Sequence, residues 1–365
     1  MLVPPMIMHV ITRFTGNAGA ETMLSRLLSI SEDDRILVVP LIGVSERNRE
    51  LANNPRVTYA PLGANSALGI IGATMKLSHM ISTERPRVIL CWMYHAMIVG
   101  TIAQRIAGTN TPVFWNVRQS LDDPKSLSRS TRLALRLGRL LSGTPSGIIY
   151  NSERAMELHS NYGYNNRNAI VIPNGFDIPK GVSTTVKAPR IFGIAGRFHP
   201  QKDHETFFRA AAIVARANPE ARFRAVGNGL TLENSAVTEL LNKTDMPVAS
   251  IDLCGESNDM STFYRSIDVL VLSSRTEGFP NVVAEAMSYG KPVITSDVGD
   301  AAMIVSNTGW VVPPRNPASL AAAMESVLKM QPKQYADMAN RARQRIAMEY
   351  DLQAIWQRYE KFLKA

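Results

Sequence analysis

Two carboxylates eight positions apart, Glu277 and Glu285, stand in the stretch EGFPNVVAEAMSYG, residues 277–290. Upstream, two cations, Arg197 and Lys202, share the loop GRFHPQK, residues 196–202. Glu277 lies in a loop and Glu285 within a helix, so the pair are not helix neighbours. Arg197 and Lys202 beside a helix N-terminus suit a diphosphate without a metal. Two Glu can accept hydrogen bonds from hydroxyls, while the amides from Gly278 to Val282 face an anion. A nucleotide sugar has both kinds of group. The plain alternative is an ordinary strand–helix unit with two surface carboxylates.

The elements that must position these groups read as alternating strands and helices. Ile267 to Ser274 is apolar and short, as a buried parallel strand is, and Lys291 to Ser296 reads as the next. Gly278, Pro280 and Asn281 make the turn, and Gly290 ends the helix. Arg190 to Ala195 is a strand before the cationic loop, and a helix follows from about His204. Ala221 to Gly229 and Ser250 to Gly255 read as strands, with Met260 to Ser266 a short helix. In open α/β sheets ligands bind at the carboxyl ends of strands, which is where both loops fall.

The first half repeats the pattern. Met6 to Thr12 reads as a strand rather than a leader, so no signal peptide is expected. Thr12 to Thr22, with Gly16 and Gly19, is a glycine loop opening a helix; it lacks the G-x-G-x-x-G spacing and the P-loop ending. Val88 to Gln104 carries no charged residue but contains Gly100, and reads as a strand feeding an apolar helix. His95 lies just past its strand end. Pro112 to Ser120 is a strand ending in the polar Arg118 and Gln119, expected at a cleft.

The 365 residues suit two globular domains. Two distant cysteines, Cys91 and Cys254, give neither metal spacing nor a disulfide framework, which points to a reducing, cytoplasmic compartment. The net charge of +9 is unevenly spread: residues 1–170 hold 18 Lys and Arg against 11 Asp and Glu. Residues 126–142, SLSRSTRLALRLGRLLS, place Arg129, Arg132, Arg136 and Arg139 at helical spacing. Leu127, Leu133, Leu137, Leu140 and Leu141 supply an apolar side. The expectation is leucines inward and arginines toward an anionic membrane surface. Nucleic acid is not expected, since no aromatic interleaving accompanies the charge.

The run EGFPNVVAEAMSYGKPVI, residues 277–294, resembles the E-x7-E region of retaining glycosyltransferases of the GT-B fold, family 4 in particular. Residues 170–177, IVIPNGFD, resemble the segment that closes the first domain of that family, and residues 196–202 resemble its diphosphate loop. The resemblance implies an α/β fold of two Rossmann-like domains, parallel sheets facing across a cleft. The domains would be 1–178 for the acceptor and 190–345 for the nucleotide sugar, with a linker at 179–189. Residues 346–365 would form a helix crossing back to the first domain, with Trp356 and Tyr359 packing.

It further implies an enzyme moving a hexosyl-type sugar, with retention, from a nucleotide-diphosphate sugar to a saccharide or lipid-linked acceptor in bacterial cell-surface polysaccharide assembly. By carry-over Glu277 contacts the sugar hydroxyls, Arg197 and Lys202 stabilise the leaving diphosphate, and Glu285 takes the ribose hydroxyls. Gly278, Phe279, Pro280 and Asn281 orient sugar and phosphate, and Gly227 and Cys254 line the base. Gly16 and Gly19 lie near the phosphates or the acceptor, with Asn17 and Ala18 altering the loop's turn. The family places a His near the fourth strand; Trp92 takes that position in one alignment, and His95, three residues on, is the candidate. No cofactor and no metal are expected to be required. The enzyme would be cytoplasmic, peripheral on the inner face of the cytoplasmic membrane. The rival readings are a non-catalytic nucleotide-sugar-binding scaffold and a GT-B enzyme of another reaction, such as a nucleotide-sugar epimerase or a phosphorylase.

Overall fold

The structure is a computed structural model that describes residues 6–364 apart from 17, 34, 183–185 and 258. Its contacts divide the chain into two units, Met1–Gly175 with Leu352–Ala365, and Phe176–Asp351. The division falls three residues before the expected boundary at 178. Phe176 donates its N–H to the Tyr350 carbonyl at 2.9 Å and stacks on Phe279, 6.0 Å between ring centres. Residues 346–351 likewise group with the second unit, because Ile346 and Tyr350 are buried in its core. Part of the expected linker, residues 183–185, lies outside the described residues.

The first unit holds seven parallel strands: β1 (Met6–Ile11), β2 (Arg35–Pro40), β3 (Val57–Tyr59), β4 (Val88–Trp92), β5 (Val113–Val117), β6 (Gly147–Tyr150) and β7 (Ala169–Val171). Their order is β3-β2-β1-β4-β5-β6-β7. Strands β1, β4, β5 and β6 are buried along their whole length, which is why they read as unbroken apolar runs. Helices α1 (Gly19–Ile30) and α2 (Glu46–Ala52) share one core with the sheet. Helices α3 (Ala67–Glu84), α4 (Met93–Ala107), α5 (Arg129–Leu141) and α6 (Glu153–Tyr162) share the other. The apolar run from Val88 thus divides into β4 and α4; no described helix is long and apolar enough to cross a membrane.

The second unit repeats the scheme with β8 (Ile191–Ala195), α7 (His204–Ala217), β9 (Arg222–Val226), α8 (Ser235–Lys243), β10 (Ile251–Leu253), α9 (Met260–Ser266), β11 (Val269–Leu272), α10 (Asn281–Ser288), β12 (Val293–Ser296), α11 (Ala301–Val305), β13 (Trp310–Val312), α12 (Pro317–Leu328) and α13 (Pro332–Glu349). The parallel order is β10-β9-β8-β11-β12-β13. The last helix, α14 (Leu352–Lys364), belongs to the first unit. Leu352, Ile355, Trp356, Tyr359 and Leu363 recur at three- and four-residue intervals on its buried face. Tyr359 stacks on Trp92 at 6.4 Å and accepts a hydrogen bond from the Asn116 side chain at 3.1 Å.

In each sheet the chain order reverses at one pair of strands, β1 with β4 and β8 with β11. Loops leaving such a pair diverge to opposite faces and open a crevice at the strand ends. In the second unit those two loops are residues 196–203 and 273–280, the two that carry the candidate cations and Glu277.

Candidate functional site

The loop after β8 is fixed at its base by the neighbouring strand. Gly196 donates to Val226 O at 2.9 Å and Phe198 to Asn228 O at 2.8 Å. This close approach explains Gly227: its φ is +151°, and a Cβ there would overlap the Gly196 carbonyl oxygen. Arg197 is exposed on this loop. A single 3-10 turn, Pro200–Lys202, follows, with the His199 ring accepting from Gln201 N at 3.3 Å. Asp203 then takes a left-handed conformation, φ 51° and ψ 53°, and α7 begins.

The loop after β11 is stitched to this turn. Arg275 N donates to Gln201 O at 2.8 Å, and Gln201 Nε2 donates to Thr276 O at 2.9 Å. Ser273 Oγ donates to the carbonyls of Lys202 and Asp203, at 2.9 and 3.0 Å. Arg275 Nη2 pairs with Asp203 Oδ1 at 3.0 Å, while Thr206 Oγ1 donates to Asp203 Oδ2 at 2.9 Å. The Asp203 carboxylate is buried and would be costly to bury without those partners.

This frame brings Lys202 and Glu277 together. Lys202 Nζ lies 2.7 Å from Glu277 Oε1, which also accepts from Ser274 Oγ at 2.6 Å. Glu277 is 8% exposed, so its charge is held by partners rather than by water. The backbone beyond it is pinned too: Asp300 N donates to Gly278 O at 3.0 Å, and at Gly299, φ +52°, any Cβ would overlap the carbonyls of Glu277 and Gly278. Helix α10 starts at Asn281 with Pro280 as its N-cap and no side-chain cap, and Phe279 is buried behind it. Glu285 is half-buried on α10 and accepts from Tyr264 OH at 2.7 Å.

Gly227 and Gly255 are joined by a 2.7 Å backbone bond, which places the ends of β9 and β10 side by side. Cys254 is partly exposed there, its sulfur 3.7 Å from Arg224 Nη2. Burial raises the pKa of its thiol, with Asp252 acting in the same direction. The second unit therefore gathers Lys202, Glu277 and their loops into one bonded cluster, places Arg197 on the same loop and Glu285 on the helix that follows. The arrangement can neutralise a diphosphate and accept bonds from sugar hydroxyls. His204, the first residue of α7, is buried with a pKa lowered to about 4, chiefly by desolvation and then by Lys202.

In the first unit the glycine loop is closed on itself. Glu21 accepts from the amides of Thr15 and Gly16, both at 2.9 Å, and of Ala18 at 3.1 Å. The Gly16 amide is thus taken by a carboxylate of the chain. Gly19 is the first residue of α1; Asn17 lies outside the described residues. His95 sits in the first turn of α4, half-buried, its pKa lowered by desolvation against an opposing bond from the Ser130 backbone.

Trp92 is fully buried and its Nε1 donates to His9 Nδ1 at 3.2 Å, so it is a core residue. Arg118, expected at a cleft, is buried instead. Its guanidinium lies over the rings of Trp92 and Tyr359, at 5.7 and 5.5 Å, and donates to Ile172 O and Asn174 Oδ1. Desolvation lowers its pKa to about 9. Arg129, Arg136 and Arg139 are exposed on α5 and Arg132 partly so. The leucine side departs from the expectation in part: Leu127 and Leu141 pack partly buried against the core as expected, but Leu133, Leu137 and Leu140 are exposed, while Ala134, Leu135 and Gly138 face the core. The reason is Tyr164, whose hydroxyl reaches Leu135 O at 3.2 Å and occupies the space a Cβ on Gly138 would need.

Sequence reading missed Gln201, Asp203, Ser273, Ser274, Arg275 and Tyr264. Their bonds to the site span from 3 to 75 residues, and most carry no local signal.

Family models described as Glycosyltransferase Family 4 and Glycosyl transferases group 1 match residues 24–180 and 189–330. D-inositol 3-phosphate glycosyltransferase of Geodermatophilus obscurus is 30% identical over 209 residues, 50% of this chain and 45% of its own length. UDP-Gal:alpha-D-GlcNAc-diphosphoundecaprenol alpha-1,3-galactosyltransferase of Escherichia coli is 27% identical over 257 residues, 64% of this chain and 63% of its own. The matches thus take in about half to just under two thirds of these relatives. The solved structure of Anabaena Alr3699/HepE in complex with UDP superposes with a TM-score of 0.81 at 22% identity, covering 98% of this chain and 99% of that one. Two doubly wound parallel sheets with this likeness make the GT-B fold the fold of the chain.

Proposed function

Because this chain belongs to the glycosyltransferases, its first half to family 4 and its second to group 1, we propose that it transfers a sugar, with retention, from a nucleotide diphosphate to a saccharide acceptor. The observation that carries this reading is the Lys202–Glu277 contact, 2.7 Å, held between two cross-bonded loops at the reversal point of the second sheet. A diphosphate entering beside Arg197 draws Lys202 toward itself, and the released Glu277 accepts bonds from the sugar hydroxyls. Glu285 takes the ribose hydroxyls, as carboxylates do in dinucleotide sites. The bond between sugar C1 and the phosphate oxygen breaks, and that oxygen gains negative charge. Arg197 and Lys202 stabilise it more strongly than in the ground state, which is what accelerates the step. The acceptor oxygen bonds to C1 on the same face, and its proton passes to the departing phosphate. His95 is the candidate to orient the acceptor, and Gly227 and Cys254 to line the base.

Two named neighbours support the finer reading. The Anabaena protein is solved with UDP, and with UDP-glucose in a second structure, which makes a uridine nucleotide the first donor to try. The Escherichia coli relative acts on a diphosphoundecaprenol-linked sugar, which supports a lipid-linked acceptor and a part in bacterial surface polysaccharide assembly at an anionic membrane face. Incubation with UDP-sugars and saccharide acceptors, followed by proton NMR, tests the reaction. The expected result is release of UDP with a product of the donor's anomeric configuration. Donor binding with neither transfer nor slow donor hydrolysis would instead make the protein a scaffold, and inverted product would overturn retention.

A further inference from the structure

Helices α3, α4 and α5 lie side by side over one face of the first sheet. Together they are 46 residues long, yet they carry half of the sixteen large apolar side chains that the described residues expose. On α3 these are Leu68, 80% exposed, with Ile71 and Met75, one stripe at three- and four-residue spacing. On α5 they are Leu133, Leu137 and Leu140, the last 72% exposed. Ile102 and Ile106 add to them from α4 between. A concentration of this kind on adjacent elements marks an interaction surface rather than scattered exposure.

The charge on the same helices has one sign. Between Leu51 and Leu121 the only acidic residue is Glu84, paired with Arg35 at 2.9 Å, and there is none from Pro124 to Ser152. Lys76, Arg105 and the four arginines of α5 interleave with the apolar residues. A shallow depression of about 520 Å³ beside Met75 is lined by Ala60–Leu62 together with Lys76 and His79. Two copies meeting through this face in a two-fold pair would oppose cation to cation with no carboxylate to offset them.

We infer that α3, α4 and α5 form a platform that lies on the surface of an anionic lipid bilayer, the leucines and isoleucines entering the acyl boundary and the arginines and lysine meeting the head groups. Apolar residues beside cations, with none of the helices able to span, are the pattern of an interfacial attachment. The platform assigns the membrane surface at which the lipid-linked acceptor of the proposed reaction would be met, and rests on that reading only for its purpose. It differs from the attachment expected from sequence, in which α5 acted through its arginines alone. The structure brings in α3 and turns Leu133, Leu137 and Leu140 of α5 outward.

Sedimentation of the full chain with vesicles, neutral phosphatidylcholine or the same with 30 mol% phosphatidylglycerol (about a plasma-membrane charge density), tests this. Binding to the anionic vesicles is expected to weaken in high salt. Each basic residue near a charged surface contributes about fivefold, so replacing Arg129, Arg132, Arg136 and Arg139 with Gln should weaken it at least about a hundredfold. The triple change Leu68→Ser, Ile71→Ser and Met75→Ser should cost at least about tenfold. The response to UDP should persist in both variants, which separates loss of the surface from loss of the donor site. Ile71→Trp supplies a second readout: a blue shift of the added fluorescence on anionic vesicles supports the platform, and no shift overturns it. Wild-type binding by the α3 triple variant overturns it as well. So does a concentration-dependent dimer abolished by the same changes, which would mean that a second copy covers the face.

Discussion

The two sheets share one topology but treat charge at their strand ends in opposite ways. After β8 and β11 the charges are kept and paired with one another, Lys202 with Glu277 and Asp203 with Arg275. In the first unit they are spent on the fold itself: after β1 Glu21 takes three amides of its own loop, and after β5, one strand beyond the reversal pair, Arg118 is enclosed by Trp92 and Tyr359 and donates to Ile172 O and Asn174 Oδ1. A pair such as Lys202–Glu277 can exchange partners when an anion and hydroxyls arrive. Glu21 has no such freedom, because leaving its three amides would strand a buried carboxylate; Arg118 is enclosed by aromatic rings, its Nε and Nη2 without hydrogen-bond partners among the described residues. The comparison teaches that strand-end position alone does not make a residue available to a ligand; its partners must be replaceable.

The largest effect that could break this contrast is on the exchangeable pair. Lys202→Ala and Glu277→Ala should each lower sugar transfer by about 10² to 10³, the scale of losing one charge-stabilising group. Lys202→Ala should also cost about 2 kcal/mol of stability, measured by denaturant unfolding, since among the described residues Glu277 then keeps only Ser274. An equal loss of transfer in Arg118→Met would erase the distinction between the units.

Next comes pH. His9, His159 and His204 are buried with pKa values lowered to about 4, each mainly by desolvation. A histidine depressed in the folded state is protonated first in the unfolded chain. Its contribution is complete above the unfolded value near 6.5 and is lost as pH falls toward 4. Three such groups give a slope of at most about 4 kcal/mol per pH unit in that window. Urea midpoints should be flat from pH 7 to 8 and fall steeply below 6; a flat profile down to pH 5 would remove the sealed-neutral description of these sites.

Gly227→Ala should follow, at about 3 kcal/mol, because a Cβ must push the Gly196 carbonyl away. Donor affinity should drop with it, since the cationic loop starts at Gly196. The smallest effect sharpens the contrast most. Asp203→Asn and Arg275→Gln should each cost about 1 kcal/mol in stability, and their double-mutant cycle should show coupling. Both should lower kcat more than donor affinity, by misaligning Glu277 against Lys202. A fall in stability alone would leave the pair a plain ion pair.

Much of the second unit was legible from residue order. The strand, turn and helix around Glu277, the loop with Arg197 and Lys202, and the helix Met260–Ser266 are all local patterns, set by apolar runs, Gly, Pro and caps. What was not legible is the stitching. The bond between Gln201 and Thr276, or between Asp203 and Arg275, joins positions 75 and 72 residues apart, and nothing nearby in sequence marks it. On α5 the pattern itself misled. Leu133, Leu137 and Leu140 suggest an inward side, yet Ala134, Leu135 and Gly138 face the core, and Gly138 is there because Tyr164 needs the room. Glu21's bonds to the amides of Thr15 and Gly16, six and five residues away, follow from no pattern in the sequence around it.

The most direct test of the central claim, that the second unit holds a nucleoside diphosphate through Lys202 and Glu285, is a thermal-shift titration with UDP, other nucleoside diphosphates and their sugars. At 100 times the dissociation constant a ligand stabilises by about 2.7 kcal/mol. The account predicts a clear shift with one base family in the wild-type protein, lost in both Lys202→Ala and Glu285→Ala. A shift of full size in both variants would contradict it, and so would no shift with any nucleotide.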